Sequence, residues 1–461
     1  MDPADLDDHP NMQATEPVRK RNIVIVGGGV IGCTTAYYLT RHPKYDPALH
    51  QITLLEASSI AAGSSGKAGG LLGLWAYPEC LVPLSYRLHR ELAAEHNGAE
   101  RWGYRRLGCG SISAVVNSVK QETEPRVQSD DANPGKTEPP LPIQSTAATG
   151  KGDTDSKTWE KLPKQDEAAA SMLTDSPLPL DLDWIDRQLV THYSEMGQPG
   201  STETSQVHPF HFTTAIAELA QAKGVVIKLG AQVTKIHHSK SAVSGLDYLD
   251  RQTSQTLTLT DLTDVIVTAG PWTGSLLPKA RIEGLRAHSV VLAADVSPYA
   301  VFTDIQLPAS YTPPHRAAKG QRRKHKGRVD PEIYARPFGE VYACGEPDTS
   351  TPLPETADLV ACDTDQCDDL VAYIGTVSPA LAAAPVKARQ ACYLPRHMRF
   401  GDERPPLVGA TAVPGLWIAA GHTCWGIQNG PGTGYLMAEM LMDGEARSAD
   451  IARLDPKKYK V

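Results

Sequence analysis

Much of what this chain is not can be read from what it lacks. Its eight cysteines are scattered, with no C-x-x-C pair. That excludes a disulfide framework and a zinc site and makes a reducing compartment the expectation. No stretch reaches ~20 apolar residues without glycine or proline punctuation, so no membrane span is expected. Positive charge is not in excess: the formal net charge is −8, which gives no electrostatic reason for nucleic acid or an anionic membrane as partner. The opening MDPADLDDHP lacks the apolar core of a secretory signal, and the closing DPKKYKV is not a peroxisomal tripeptide, so the expected location is cytoplasmic. No internal repeat, serine–histidine pair or metal-ligating cluster stands out.

What is there is length and well-placed glycine. With 461 residues, 41% of them hydrophobic, the chain can bury a large core and fits two domains better than one. In VRKRNIVIVGGGVIGCTTAYYL, the apolar run Ile23–Val26 reads as a buried parallel strand and Ile31–Leu39 as a helix. Between and across them Gly27, Gly29 and Gly32 spell G-x-G-x-x-G. The first permits a tight turn, the second lets backbone approach a pyrophosphate, and the third lets the helix pack against the strand. Val30 and Ile31 open that helix, whose N-terminal N–H groups and dipole favour phosphate. A second strand, QITLLEAS, ends in Glu56, at the distance where an acid can bond ribose hydroxyls, with Ala57 beside it. Together these predict a dinucleotide site.

Which dinucleotide is decided by AAGSSGKAGGLLG. Ser64, Ser65, Lys67, Ala68, Gly69, Gly70 and Leu71 form a second track of mostly small residues directly after the acid-tipped strand. A nicotinamide cofactor has no need of it, whereas extended FAD does. Near the C-terminus, AAGHTCWGIQNGPGTGY offers backbone N–H groups and a helix N-terminus, suited to the negative charge that accumulates at flavin N1/O2 on reduction.

These segments, together with VIVTAGPW, resemble the D-amino-acid oxidase superfamily of FAD enzymes in its glycine oxidase and sarcosine oxidase branch. Within it the chain is most similar to fungal FAD-dependent oxidoreductases that carry GSSGKAGGLL and GH-x-x-WGI. The resemblance covers most of the chain outside two insertions. It implies an α/β architecture: a Rossmann-type FAD-binding domain, discontinuous in sequence, and a second α+β substrate domain on a mixed or antiparallel sheet. The FAD-binding domain would take 19–112, 205–280 and 391–461, and the substrate domain 181–204 and 281–390. Residues 1–18 read as a disordered tail. Residues 118–180, rich in proline, serine, threonine and charge with Trp159 as the only aromatic, read as a disordered insertion. Residues 313–330 read as a mobile basic loop. Elsewhere a helix is expected at Phe212–Lys223, a strand at Val225–Leu229, and a hairpin over DPEIYARPFGEVYACGE with FGE at its turn.

The resemblance also assigns residues. Val233 would touch the adenine through its backbone, and Ala269, Gly270 and Trp272 would line the adenosine side. Gly421, His422 and the Gly426, Ile427, Gln428 run would meet the flavin. Cys392 falls where some relatives tether FAD by a thioether; the alternative is a buried packing cysteine. The implied reaction oxidises a C–N bond of a small amine or amino-acid-like substrate to an imine, with oxygen as electron acceptor and hydrogen peroxide as product.

Here the chain departs from its relatives. Leu394 stands where amino-acid oxidases have a carboxylate-gripping arginine, and Gln428 where sarcosine oxidases have a lysine. Arg336 is the remaining candidate clamp, since Tyr334 and Arg336 alternate onto one face of their strand; the alternative is a structural cation. Trp425 and His422 either shape the substrate pocket or pack. Two other functions stay open: a flavoprotein of vestigial activity serving as a regulatory or interaction protein, and a dehydrogenase passing electrons to a quinone or similar acceptor.

Overall fold

The computed structural model describes residues 20–117, 173–196, 203–322, 325 and 327–461. The 1–18 tail and most of the 118–180 insertion lie outside the described residues.

The run RNIVIV forms the strand Arg21–Val26, buried from Ile23 onward. It is flanked on both sides by parallel partners, Ile25 lying opposite Leu54 of His50–Glu56 and opposite Ile266 of Asp264–Val267. A strand covered on both faces can afford no polar alternation, which is why its sequence is a continuous apolar run. The full sheet has six strands in the order Leu407–Ala410, Leu416–Ala420, Asp264–Val267, Arg21–Val26, His50–Glu56, Val226–Leu229. All neighbours are parallel except the first pair. The helix Val30–Leu39 has no exposed residue. It is enclosed by the helices Gly426–Asp443 and Pro209–Gln221, and Thr34 Oγ1 reaches the Gly430 carbonyl at 2.8 Å. An apolar helix without a polar face is the sequence such a position requires.

The second large sheet has ten strands. Its path runs Asp402–Arg404, Val386–Arg399, Ile282–Ala293, Glu340–Asp348, Glu332–Arg336, Tyr299–Gln306, Gly108–Val115, Val190–Met196, Leu173–Asp175, with Arg328–Val329 beside Tyr299–Gln306. Pairing is antiparallel except where Tyr299–Gln306 meets Gly108–Val115. The pleat sorts its side chains: Ile333, Val341 and Ala343 enter a core with Leu370 and Ile374 of the helix Thr364–Gly375. Tyr334, Tyr342 and Cys344 face the other way, onto Trp75, Leu71 and Trp425. That second face meets the glycine-rich loops of the first sheet.

The mixed α/β architecture expected from the sequence is therefore present, and the expected hairpin spans Glu332–Arg336 and Glu340–Asp348. The helix expected from Phe212 starts three residues earlier, at Pro209, because proline fits the first helical position and His208 Nδ1 accepts the His211 N–H at 3.4 Å. Two readings need correction. The stretch read as a disordered insertion to residue 180 contains the strand Leu173–Asp175, held by pairing with Val190–Met196; backbone pairing compensates for its thin apolar content. The basic 313–330 stretch is not simply a mobile loop. Pro314–Ala318 is helical, and Arg316 is buried against Asp369. No helix among the described residues is long and apolar enough to cross a membrane.

Candidate functional site

Three chain segments converge at the C-terminal ends of the parallel strands, where ligands of open α/β sheets bind. The first is the glycine turn. Gly27 has φ +111°, and a Cβ there would lie 2.7 Å from the Thr268 carbonyl. At Gly32 a Cβ would come within 2.0 Å of the Gly27 carbonyl, so the helix packs directly on its own turn. Gly29 differs: its nearest obstacle is Ser65 Oγ at 3.1 Å, and the residue forms cavity wall. Gly29 caps the helix Val30–Leu39 without a side-chain hydrogen bond. One early N–H, that of Val30, is taken by Ser65 Oγ at 2.9 Å. Glu56 Oε2 accepts the Gly28 N–H at 2.7 Å and its Oε1 accepts the Ser58 N–H at 2.8 Å. The acid thus braces the turn, its Oε1 also accepting the Ser58 hydroxyl at 3.0 Å, while forming part of the cavity wall.

This cavity measures about 640 Å³. Along its wall stand Gly27, Gly29, Val30, Ile31, Glu56, Ala57, Ser64, Ser65, Val233, Ala269, Gly270, Trp272, Gly421, His422 and Gly426. At its far end the helix Gly426–Asp443 begins, with Trp425 as N-cap and no side-chain cap. Two uncapped helix N-termini therefore open on one elongated cavity, each with unsatisfied backbone donors. The open wall at Gly29, where only Ser65 Oγ stands near a would-be Cβ, an acid on the second strand and two helix N-termini fit FAD. His422 is neutral: burial pulls its pKa down to about 3, and its Nε2 lies 3.0 Å from Thr433 Oγ1.

A second, small cavity of about 50 Å³ adjoins the first at Ser64. Ala68, Gly69, Gly70, Leu71, Ile427, Tyr334, Tyr342, Trp425, Cys392 and Leu394 line it. Gly69 is required because a Cβ would stand 2.1 Å from the Tyr334 ring. Tyr334 donates its O–H to Glu332, and burial first, then the Glu332 charge, push its pKa well up. Among the described residues, neither cavity has lysine or arginine on its wall.

Four sequence-proposed residues stand elsewhere. Gly32 is interior packing. Lys67 turns its Nζ to the Ala391 carbonyl at 3.0 Å. Gln428 is fully buried, its Oε1 accepting the Gly73 N–H at 2.9 Å. Arg336 is the main correction. It lines neither cavity; its Nη2 lies 3.1 Å from Glu340 Oε2 and also contacts His208. This pairing agrees with the structural-cation alternative that the sequence leaves open. Glu340 meets two cations, Arg336 and Lys387, and the His208 imidazole, whose own pKa burial pulls down. Burial pushes its pKa up, but hydrogen bonds from His208 and Lys387, then the Arg336 charge, prevail and bring it to about 2.

Sequence reasoning missed the segment Leu353–Ala357, which forms one side of the large cavity. Trp272 Nε1 donates to the Pro354 carbonyl at 2.6 Å. Arg251 ties the Ala57 carbonyl, at 2.8 Å, to the Asp358 carboxylate, also at 2.8 Å. Nothing in TPLPETAD announces this; only long-range packing creates it.

The profile described as "FAD dependent oxidoreductase" (DAO) matches residues 22–440. The chain is 36% identical to "Putative oxidoreductase TDA3" of Saccharomyces cerevisiae, covering 98% of each chain. It is 32% identical to "Putative oxidoreductase C1F5.03c" of Schizosaccharomyces pombe, covering 95% of this chain and 98% of that one. Among solved structures, the glycine oxidase of Bacillus cereus superposes with a TM-score of 0.57 at 18% identity, covering 94% of this chain and all of that one. The chain belongs to the DAO family of FAD-dependent oxidoreductases.

Proposed function

We propose that this FAD-dependent oxidoreductase oxidises the C–N bond of a secondary amine or modified amino acid to an imine and uses oxygen as its electron acceptor. The observation that carries the reading is the adjacency of the two cavities. A long one is built of backbone donors and small residues, and a short apolar one, walled by Tyr334, Tyr342, Leu394 and Trp425, opens beside it at Ser64. The chain shares its fold with the glycine oxidase of Bacillus cereus, and the reading takes an amine-type substrate from that likeness.

In this reading the Gly27–Ile31 turn and its helix N-terminus hold the pyrophosphate, Glu56 the ribose, and the Val233 backbone the adenine. The turn leading into the helix Gly426–Asp443 would hold the pyrimidine end of the flavin, where a neutral His422 adds no charge. Bound there, FAD would supply a two-electron acceptor that oxygen could reoxidise. The apolar wall of the small cavity favours the neutral amine over its ammonium form by withholding solvent. Tyr334 keeps its proton on Oη and donates it to Glu332, and its side chain forms part of the apolar wall. Without a cation on either wall, a free α-carboxylate gains no charge-assisted contact, which favours amines or derivatised amino acids over simple α-amino acids. We read FAD as non-covalently held, with Cys392 packed among Leu285, Ala287 and Leu394.

An amine panel read by anaerobic flavin bleaching and by aerobic peroxide release tests this. Bleaching by secondary amines with peroxide in air is the expected result. Bleaching without peroxide would transfer the reading to a dehydrogenase. A fully loaded flavoprotein that no amine bleaches would point to the vestigial, regulatory alternative.

A further inference from the structure

Away from both cavities, on the opposite face of the ten-stranded sheet, the chain reads C-D-T-D-Q-C over residues 362–367. Asp363 caps the helix Thr364–Gly375, its Oδ1 accepting the N–H groups of Asp365 at 3.0 Å and Gln366 at 3.4 Å. The Gln366 side-chain amide returns the contact to Asp363 Oδ2 at 3.2 Å. A capping arrangement of this kind brings the residue before the cap against the fourth residue of the helix, where an apolar pair normally sits. Here both positions are cysteine, and the Sγ atoms of Cys362 and Cys367 stand 3.5 Å apart. Each thiol is fixed from its own side. The Asp363 N–H donates to His288 Nε2 at 3.0 Å, anchoring the segment that carries Cys362. Cys367 is fully buried, its Sγ 3.7 Å from the Ser289 carbonyl and 3.9 Å from that of Gln390.

We propose that Cys362 and Cys367 form an oxidisable dithiol site that closes to a disulfide under a peroxide-class oxidant. A disulfide needs about 2.05 Å between sulfurs, so the remaining approach is about 1.5 Å. Cys362 reacts first because it is half-exposed, whereas burial pushes the Cys367 thiol up. The Cys362 thiolate attacks a peroxide oxygen, the O–O bond breaks, and a sulfenic acid and water result. The Cys367 sulfur then attacks the Cys362 sulfur, the S–O bond breaks, and a second water leaves with the thiol proton. Two thiols lose two electrons in total, and one peroxide becomes two waters. Burial first, then the contact with Cys362 and last the Asp368 charge disfavour thiolate at Cys367, so the site reacts slowly and stoichiometrically and is not a peroxidase.

The same sheet pair leads toward the cofactor side: the Gln390 side chain donates to the Lys67 carbonyl at 3.2 Å and to Ser289 Oγ at 3.1 Å. Cys367 therefore abuts the strands that brace the glycine loop from behind.

The test uses the reduced, FAD-loaded full chain, treated with added hydrogen peroxide, alkylated and mapped by peptide mass. The expected product is one peptide lighter by two hydrogens, bridged between residues 362 and 367 and unalkylated at both, while Cys344, on the other face of the sheet, remains alkylated. Cys362→Ser and Cys367→Ser should each abolish the bridge with flavin content unchanged, which also shows that both variants fold. Both thiols alkylated after treatment, Cys362 carried to sulfinic acid beside a reduced Cys367, or a bridge to Cys344 would each overturn the proposal. Because the oxidant is added, the result is independent of whether the protein makes peroxide itself.

Discussion

The two cavities that meet at Ser64 are made of different materials. The large one is walled by turns, helix N-termini and small side chains; the small one is walled by the side chains of pleated strands, Tyr334 and Tyr342 among them. A surface of backbone must be written with residues that stay out of the way, so its sequence signature is glycine at fixed spacing. A surface of side chains is written as alternation, and its chemistry depends on which partner each side chain finds across the sheet. The cofactor region is consequently specific in sequence and tolerant in detail, while the substrate region carries its meaning in register.

The sharpest way to break this comparison is at Gly29, where only Ser65 Oγ stands near a would-be Cβ and the backbone lies at an ordinary extended φ of −78°. Gly29→Val should therefore fold, with a far-UV spectrum like the parent, yet lose FAD by at least about 100-fold in affinity, because its methyl groups occupy pyrophosphate space. Gly32→Val, whose Cβ would meet the Gly27 carbonyl at 2.0 Å, should instead fail to fold. Retention of yellow colour by Gly29→Val after gel filtration would refute the backbone-cradle account of the large cavity.

The same contrast explains what could be read in advance. Gly27, Gly32 and Glu56 announce the first sheet and its cofactor because their spacing is local and their geometry obligatory. The face shared by Tyr334 and Arg336 also follows from strand periodicity. For Arg336 the sequence leaves clamp and structural cation both open, although a signal for its partner is present: a hairpin turning through Pro337–Gly339 puts Arg336 opposite Glu340 as the first pair beyond the turn. The contribution of His208 and Lys387 to that network, and of Leu353–Ala357 to the cavity, comes from contacts separated by dozens of residues or more, for which no local pattern exists. The strand Leu173–Asp175 was illegible for a related reason: three residues in a polar stretch pair only because Val190–Met196 presents an edge.

A middle-sized effect is expected from that network. Arg336→Met removes one cation from a buried carboxylate but leaves His208 at 3.3 Å and Lys387 at 2.6 Å. The cost should fall near the low end for a broken buried pair, about 3 kcal/mol, seen as a drop of several degrees in Tm. KM for the substrate should not move, which separates a structural cation from a substrate clamp; a selective rise in KM at unchanged Tm would restore the clamp. The pH dependence follows in sign. The folded-state pKa of Glu340 is depressed to about 2, below the ordinary value of about 4.3. Its contribution is thus fully present above the ordinary value and is lost as pH falls through the folded-state value. Glu340→Gln should flatten that acid limb in a urea-melt series, and a limb of unchanged slope would show that other carboxylates govern it.

The smallest effect is predicted at Cys392, on the small cavity's wall beside Cys424. Its neighbours Leu285, Ala287 and Leu394 form an apolar cluster, and its backbone lies opposite Ala287 in the antiparallel pairing of Val386–Arg399 with Ile282–Ala293. A serine there would bury a hydroxyl among hydrocarbon at a cost of about 1–3 kcal/mol, lessened where a backbone carbonyl accepts its proton. Its effect on cofactor content should be nil if FAD is held by the glycine cradle and the two helix N-termini alone. Acid precipitation of the parent protein should then leave a colourless pellet and a yellow supernatant, and Cys392→Ser should carry the same flavin-to-protein ratio. A yellow pellet from the parent that turns colourless in Cys392→Ser would show a thioether instead. The small cavity would in that case help to hold the cofactor through a bond that no backbone cradle supplies, and the division between the two cavities would fail at this one residue.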